Sequence, residues 1–209
     1  GYKIYFRLEQ GFESDNGKAK DSDAAFYRDS YLGLSSPYGS FEFGRTGALT
    51  AGTHGGIVGG MSPFGITWKE GALSKIFAGN ISARLNNMVR YESPSLNGAK
   101  FFAQYSNGIK DDEIASSQKN RFISIGATYR YKSLRLIAAF DNLFYNDSET
   151  KTEAGVAAGK GLKDQRTYNV GGSYDFGTVR LYLGYQFGKN VETPRQGDAK
   201  GIVAAKYDS

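Results

Sequence analysis

Between residues 178 and 188 the chain alternates with a period of two: Val179, Leu181, Leu183, Tyr185 and Phe187 fall on one side, Thr178, Arg180, Tyr182, Gly184, Gln186 and Gly188 on the other. A helix repeats near 3.6 residues, so this spacing specifies an extended strand with one apolar face. The segment before it repeats the pattern, with Tyr168, Val170, Gly172, Tyr174 and Phe176 against Thr167, Asn169, Gly171, Ser173 and Asp175. At the start of the chain Tyr2, Ile4, Phe6 and Leu8 oppose Lys3, Tyr5, Arg7 and Glu9. Around residues 81–92 the alternation places Leu85, Val89 and Tyr91 opposite Arg84, Asn86, Arg90 and Glu92, with Asn87 and Met88 breaking the rule.

The same reading gives ten strands, near residues 2–12, 25–35, 39–46, 80–92, 98–107, 119–131, 133–145, 165–176, 178–188 and 199–207. Their connections alternate between short turns (36–38, 93–97, Lys132, Gly177) and long ones (13–24, 46–79, 107–118, 146–164, 189–198). An antiparallel up-and-down meander with two unlike ends produces such alternation, and in outer-membrane barrels the short turns are periplasmic and the long loops external. Several segments have the length of a tilted strand crossing the hydrocarbon layer, about 9–11 residues. Tyr105, Tyr131, Tyr174, Tyr185 and Phe187 stand near strand ends, where rings suit a membrane interface as well as an ordinary core.

Composition narrows the function classes. With 28 Gly, 15 Tyr, 14 Phe and only 4 Pro the chain has strand and turn chemistry. It has no Cys and a single His, His54, so thiolate sites are excluded and no cofactor or metal is expected. The net charge of +5 comes from cations scattered singly rather than in a stripe, which argues against a nucleic-acid partner. The apolar run 136–140 falls far short of the roughly 20 residues of a membrane helix.

Periodicity alone leaves open whether the apolar face turns outward to lipid or inward to a soluble core. Outward is favoured because the polar face mixes Gly and Ser with Arg and Lys, because ten strands exceed the roughly eight of a small ligand-binding barrel, and because no helix is evident to cover a sheet.

Particular motifs sharpen this. Gly1-Tyr2-Lys3-Ile4-Tyr5-Phe6-Arg7-Leu8-Glu9-Gln10-Gly11-Phe12, the pair Tyr27-Arg28-Asp29-Ser30-Tyr31-Leu32-Gly33-Leu34 and Tyr38-Gly39-Ser40-Phe41-Glu42-Phe43-Gly44-Arg45, and Asn87-Met88-Val89-Arg90-Tyr91-Glu92-Ser93-Pro94 resemble the early strands and hairpins of the general trimeric porins of Gram-negative bacteria. The likeness runs over nearly the whole chain, 1–209, read as a single barrel domain. It implies an all-β, antiparallel up-and-down transmembrane barrel in the outer membrane, contacting membrane lipid, forming a homotrimer, and passing small hydrophilic solutes and inorganic ions by passive diffusion, without enzymatic activity. Against the roughly 16 strands of such porins, ten strands read as an internal fragment.

The resemblance also implies a site. The glycine-rich insertion, about 46–79, with Pro63, Phe64 and Gly65, falls where these porins carry the loop that folds inward and narrows the pore. Arg28, Arg45 and Arg84 match the basic cluster on the opposite wall, and Lys3 and Arg7, on the polar face of the first strand, extend it. Within the loop stand His54, Lys69, Glu70 and Lys75, so Glu70 is its only acid and the throat is expected to be net positive and anion-preferring.

Competing readings are weaker in residues. The glycines at 52, 55, 56, 59 and 60 lack the Gly-Lys-Ser/Thr ending of a phosphate cradle, and Asp111-Asp112-Glu113 lacks an EF-hand pattern. A barrel-borne hydrolase would need a Ser–His–Asp set, for which only His54 is available. Two alternatives remain: a soluble β-barrel carrying a hydrophobic ligand, and a substrate-specific outer-membrane channel, for which the lumen-parity aromatics of the cleanest strands, Tyr5 and Tyr182, are too few to make a track.

Overall fold

A computed structural model of the chain describes residues 1–22, 24–50, 54–63, 84–109, 119–147, 161–191 and 197–208, with Val191 and 197–208 described as backbone. Ten strands form one sheet in chain order: β1 Lys3–Leu8, β2 Ser30–Ser36, β3 Gly39–Thr46, β4 Leu85–Glu92, β5 Ala99–Ser106, β6 Arg121–Tyr131, β7 Leu134–Phe144, β8 Gln165–Asp175, β9 Val179–Val191 and β10 Gly197–Asp208. Every neighbouring pair is antiparallel. The short turns are as the alternation requires: Tyr131 pairs with Leu134 across Lys132-Ser133, where Lys132 takes φ 48°, and Gly177 takes φ 94° between β8 and β9. Among the described residues the one helical element is a 3-10 turn, Val58–Met61.

Three expectations need correction. The strands expected over 2–12 and 25–35 stop at Leu8 and start at Ser30. Their hairpin continues as an irregular stem, with Glu9 N–H donating to Asp29 O at 2.9 Å, Arg28 N–H to Glu9 O at 3.2 Å and Lys20 N–H to Gly11 O at 3.0 Å. Phe26, at φ 57°, interrupts the extended backbone. On β4 the register skips between Gly44/Met88 and Thr46/Leu85, and Asn87 adopts φ 53°. That extra residue is a bulge, which reverses the alternation beyond it: Leu85 lies buried with Met88 rather than exposed with Val89. Finally, β9 and β10 run further than expected, so their connection is reduced to residues 192–196. It is no longer than the short-side connection between β4 and β5, residues 93–98.

The sheet is inside-out relative to a soluble protein. Val170 and Leu183, 56% and 62% exposed, share the outer face with Ile4, Phe6, Leu32, Leu34, Ile125 and Leu136. The opposite face buries Glu42, Arg90, Gln104, Ser124, Asp141, Thr167, Asn169 and Gln186. A soluble ligand carrier has the reverse arrangement, because its apolar face must leave water. Tyr105, Tyr131 and Tyr174, near the ends of their strands, are exposed on the apolar side, outside rather than in a core, and so is Tyr185, which the longer β9 places in mid-strand instead of at its end.

The start of the glycine-rich insertion lies on the polar face. Leu49 N–H donates to Gln104 Oε1 at 3.0 Å, Gln104 Nε2 donates to Gly47 O at 2.9 Å, and the Thr50 hydroxyl bonds buried Asp141. Leu49, Ile57, Val58 and Met61 then pack on Phe102, Ile137 and Ala139 of the wall. This buried apolar cluster is a local anchor for the insertion and is flanked by charged side chains. A second cluster, Ala48, Leu85, Met88, Ile109, Phe122 and Leu143, seals the base of the insertion against the wall.

Candidate functional site

Two charged networks line the polar face near β1–β4. At the long-loop end, Glu9 just beyond β1 and Asp29 just before β2 gather three arginines. Arg28 Nε donates to Glu9 Oε1 at 2.6 Å, while Arg7 and Arg84 each approach Glu9 Oε2 at 3.5 Å. Arg84 also reaches Asp29 Oδ1 at 3.3 Å, and Arg7 reaches its Oδ2 at 4.0 Å. Asp29 is fully buried, and burial, aided by the neighbouring Glu9 carboxylate, pushes its carboxyl above the usual range against the pull of Arg84. Burial acts on Glu9 in the same sense but is outweighed by the hydrogen bonds of Arg28 and Asp29, which hold its carboxyl down to about 2. Glu9 therefore carries the charge that Arg28 meets.

The second network centres on Glu42, in the middle of β3. The β3–β4 register sets Arg90 directly opposite it, and Arg90 Nη1 donates to Glu42 Oε2 at 3.0 Å. Tyr5 Oη donates to Glu42 Oε1 at 3.0 Å from β1, and His54 Nε2 lies 3.1 Å from the same oxygen. The His54 ring stacks on Tyr31 with centroids 4.8 Å apart, so the insertion is latched to the wall by its histidine. Arg90 extends the chain of charges to Glu92 at 2.9 Å, and Lys100 Nζ closes it at 2.6 Å.

The residues expected to form the basic wall thus divide. Arg7, Arg28 and Arg84 come together around Glu9 and Asp29. Arg45 sits at the register irregularity of β3 and is bound instead to the Tyr27 carbonyl, at 2.7 Å, and to the Asn86 side chain. Lys3 is exposed at the short-turn end of β1, away from that cluster. Pro63 lines a cavity of about 540 Å³ below the insertion. Phe64, Gly65, Lys69, Glu70 and Lys75 lie outside the described residues.

What the sequence reading missed is the acid. Glu9, Asp29, Glu42 and Glu92 interleave with the arginines, and Arg90 joins them. Parity was a usable signal for Glu42, Arg90 and Glu92, which occupy polar positions on adjacent strands. Nothing local marked Asp29, because its neighbour Arg84 is 55 positions away in sequence.

Comparison with known proteins agrees with this architecture. A family profile described as Gram-negative porin matches residues 1–208. An outer membrane porin protein of Bordetella pertussis is 29% identical over 194 residues, covering 88% of this chain and 48% of the relative. Among solved structures, an anion-selective porin from Comamonas acidovorans superposes with a TM-score of 0.63 at 23% identity, over 98% of this chain and 58% of that one. OmpF of Salmonella typhi, solved with daunomycin, gives 0.59 at 15% identity, over 90% and 58%. The chain therefore spans about half the length of the curated relative and under two thirds of these structures.

Proposed function

Since the chain belongs to the Gram-negative porin family of the bacterial outer membrane, we propose that it forms much of the wall of a water-filled channel for passive diffusion of small hydrophilic solutes and ions, with a preference for anions. The observation that carries this reading is the inverted sheet, aliphatic and aromatic side chains outside and buried charged and amide side chains inside, with residues 47–50 and 57–61 of the insertion packed on the inner face. Such a pore makes and breaks no bonds; it sorts by width and field. The arginines stay charged at all working pH values, and a low-dielectric wall focuses their potential into the lumen.

The preference for anions is supported by the balance of charge rather than by a bare basic wall. At the long-loop end three arginines share two carboxylates, and Asp29 is the more easily protonated of the two. We assign the narrowing to the insertion, with Arg7, Arg28 and Arg84 at its outer approach and Arg90 beneath His54. Arg45, Lys3, Lys69 and Glu70 belong to the same proposed lining, with Pro63, Phe64 and Gly65 in the narrowing segment. A homotrimer, implied by the family likeness, is part of the proposal and is tested by the native mass of the detergent-solubilised protein.

The deciding measurement is the zero-current potential of the full-length protein in a planar bilayer across a KCl gradient. Anion preference is the expected result, and clear cation selectivity overturns it. Failure of the protein to conduct at all, once folded as a heat-modifiable β species, rejects the channel itself.

A further inference from the structure

Close to the short-turn end, Arg130 of β6 and Arg135 of β7 are directly opposite each other across the antiparallel ladder. Both occupy the inner parity of their strands, Arg130 with Ser124 and Thr128, Arg135 with Ile137 and Ala139. Like charges directly opposite are destabilising, and in the two networks on this face Arg7, Arg28, Arg84 and Arg90 are each set against a carboxylate. Here no such relief is given: among the described residues neither guanidinium has a carboxylate within ion-pair distance. On their other flanks Arg135 faces Ser173 and the Arg130 N–H bonds Gly98 O at 2.9 Å. The nearby acids are already engaged, Asp175 by Arg180 Nε at 3.0 Å and Glu92 by Arg90 and Lys100.

Both guanidiniums open onto space. A cavity of about 540 Å³ lies between Gly59-Gly60 and the β6–β7 turn, lined by Arg130, Lys132, Arg135, Tyr182 and the paired Asp175 and Arg180. A second, of about 460 Å³, is lined by the same Arg130 and Arg135 together with Glu92 and its partners Arg90 and Lys100. Arg135 Nε is buried and has no hydrogen-bond partner among the described residues. A buried, unsatisfied donor on a permanently charged group is costly and calls for an explanation. Gly60 roofs the site closely: a Cβ there would fall 2.3 Å from Arg135 Cζ, so the glycine admits the guanidinium beneath the insertion.

We propose that Arg130 and Arg135, with Lys132 at the rim, form an anion-binding subsite on the short-turn side of the insertion, taking a doubly charged phosphate-type oxyanion, free or as the monoester of a small solute. Two planar forks facing one gap match the several acceptor oxygens of a phosphate group and supply paired charge-assisted hydrogen bonds. The surrounding hydroxyls of Ser173 and Tyr182 offer further donors, and the cavity volumes lie in the range of small-solute sites, about 300–1,000 Å³. The subsite rests on the channel reading for its access from solvent. It goes beyond that reading in placing a specific stop for one ligand class on the diffusion path.

The test uses the full-length protein in planar bilayers carrying a KCl current, with inorganic phosphate or glycerol phosphate added from the short-turn side. The expected result is a saturable reduction of current, with the better blocker naming free phosphate or its monoester as the natural ligand. Arg135→Gln should raise the half-blocking concentration at least tenfold, and Arg135→Lys, which keeps the charge and loses the fork, by less. The double variant Arg180→Gln with Asp175→Asn removes a charge-neutral pair from the same cavity and should change it less than twofold. Absence of block in the parent protein, or equal shifts in Arg135→Gln and in that double variant, overturns the subsite. Arg130→Gln gives a second reading should Arg135→Gln not fold as a heat-modifiable species. Phosphate block in a cation-selective pore keeps the subsite and rejects the proposed anion preference; anion selectivity without block does the opposite.

Discussion

The two ends of the inner face treat the same residue type in opposite ways. On β1–β4 every arginine of the two networks meets at least one carboxylate, and Arg90 and Glu42 are almost wholly enclosed, with side chains 6% and 5% exposed. On β6–β7 two arginines are set against each other and left to open space. Paired, hydrogen-bonded charge fixes geometry, because removing either partner strands the other in a poorly solvated place. Unpaired charge leaves its donors for a mobile ion. The contrast teaches that a count of cations along a pore wall says little about field or binding until the partners of each are known.

The largest effect expected from breaking the contrast is at Glu42. Glu42→Ala removes the acceptor of Tyr5, His54 and Arg90 together and should cost about 3 kcal/mol, the scale of a broken buried pair, read as a lower denaturant midpoint for unfolding from detergent. The insertion should also lose protection from hydrogen exchange near His54. An unchanged midpoint breaks the claim that this network is structural.

Next comes the lipid-facing side. Leu183→Arg should destabilise the folded barrel by about 2–4 kcal/mol at mid-membrane depth, whereas Gln186→Arg on the inner face should cost far less and shift selectivity instead. Equal costs would reject the assignment of the two faces.

Acid sharpens the comparison at the rim. The Glu9 carboxyl is held down to about 2, so its contribution is complete above the ordinary carboxylate range and is lost as pH falls toward that value. Asp29 is shifted the other way, so its contribution is present at low pH and fades as pH rises past its elevated value. Amide exchange at Arg28 and Glu9 should therefore remain slow through pH 4 and rise only on approach to about pH 2. Loss of protection near pH 4.5 would mean that Glu9 is not charge-paired.

The smallest effect is at the uncompensated pair. Arg130→Gln removes a cross-strand repulsion and should leave stability unchanged or raise it by about 0.5 kcal/mol, a sign opposite to that of Glu42→Ala. A marked destabilisation would show that the pair is structural after all.

Local sequence carried most of the fold. All ten strands, and the outer placement of residues such as Ile4, Val170 and Leu183, follow from a period of two, because each side chain's face is set by its immediate neighbours. The bulge at Asn87 escaped that rule: one residue in the left-handed region sends Leu85 to the inner face, and only pairing with β3 exposes the extra residue. For the site, the family motifs picked out Arg28, Arg45 and Arg84 and strand parity added Lys3 and Arg7; Arg7, Arg28 and Arg84 lie together, but around Glu9 and Asp29 rather than in a bare basic wall.

What the amino-acid order determined by itself is therefore the alternation, the turns and the composition of each face, all fixed by interactions over a few residues. Which charges meet was decided by tertiary structure. Arg90 finds Glu42, Arg84 finds Asp29, and Arg135 confronts Arg130 because strand register and the path of the insertion bring them together. Electrostatic energy depends on distance in space, and distance in space is set by the whole ladder of paired strands.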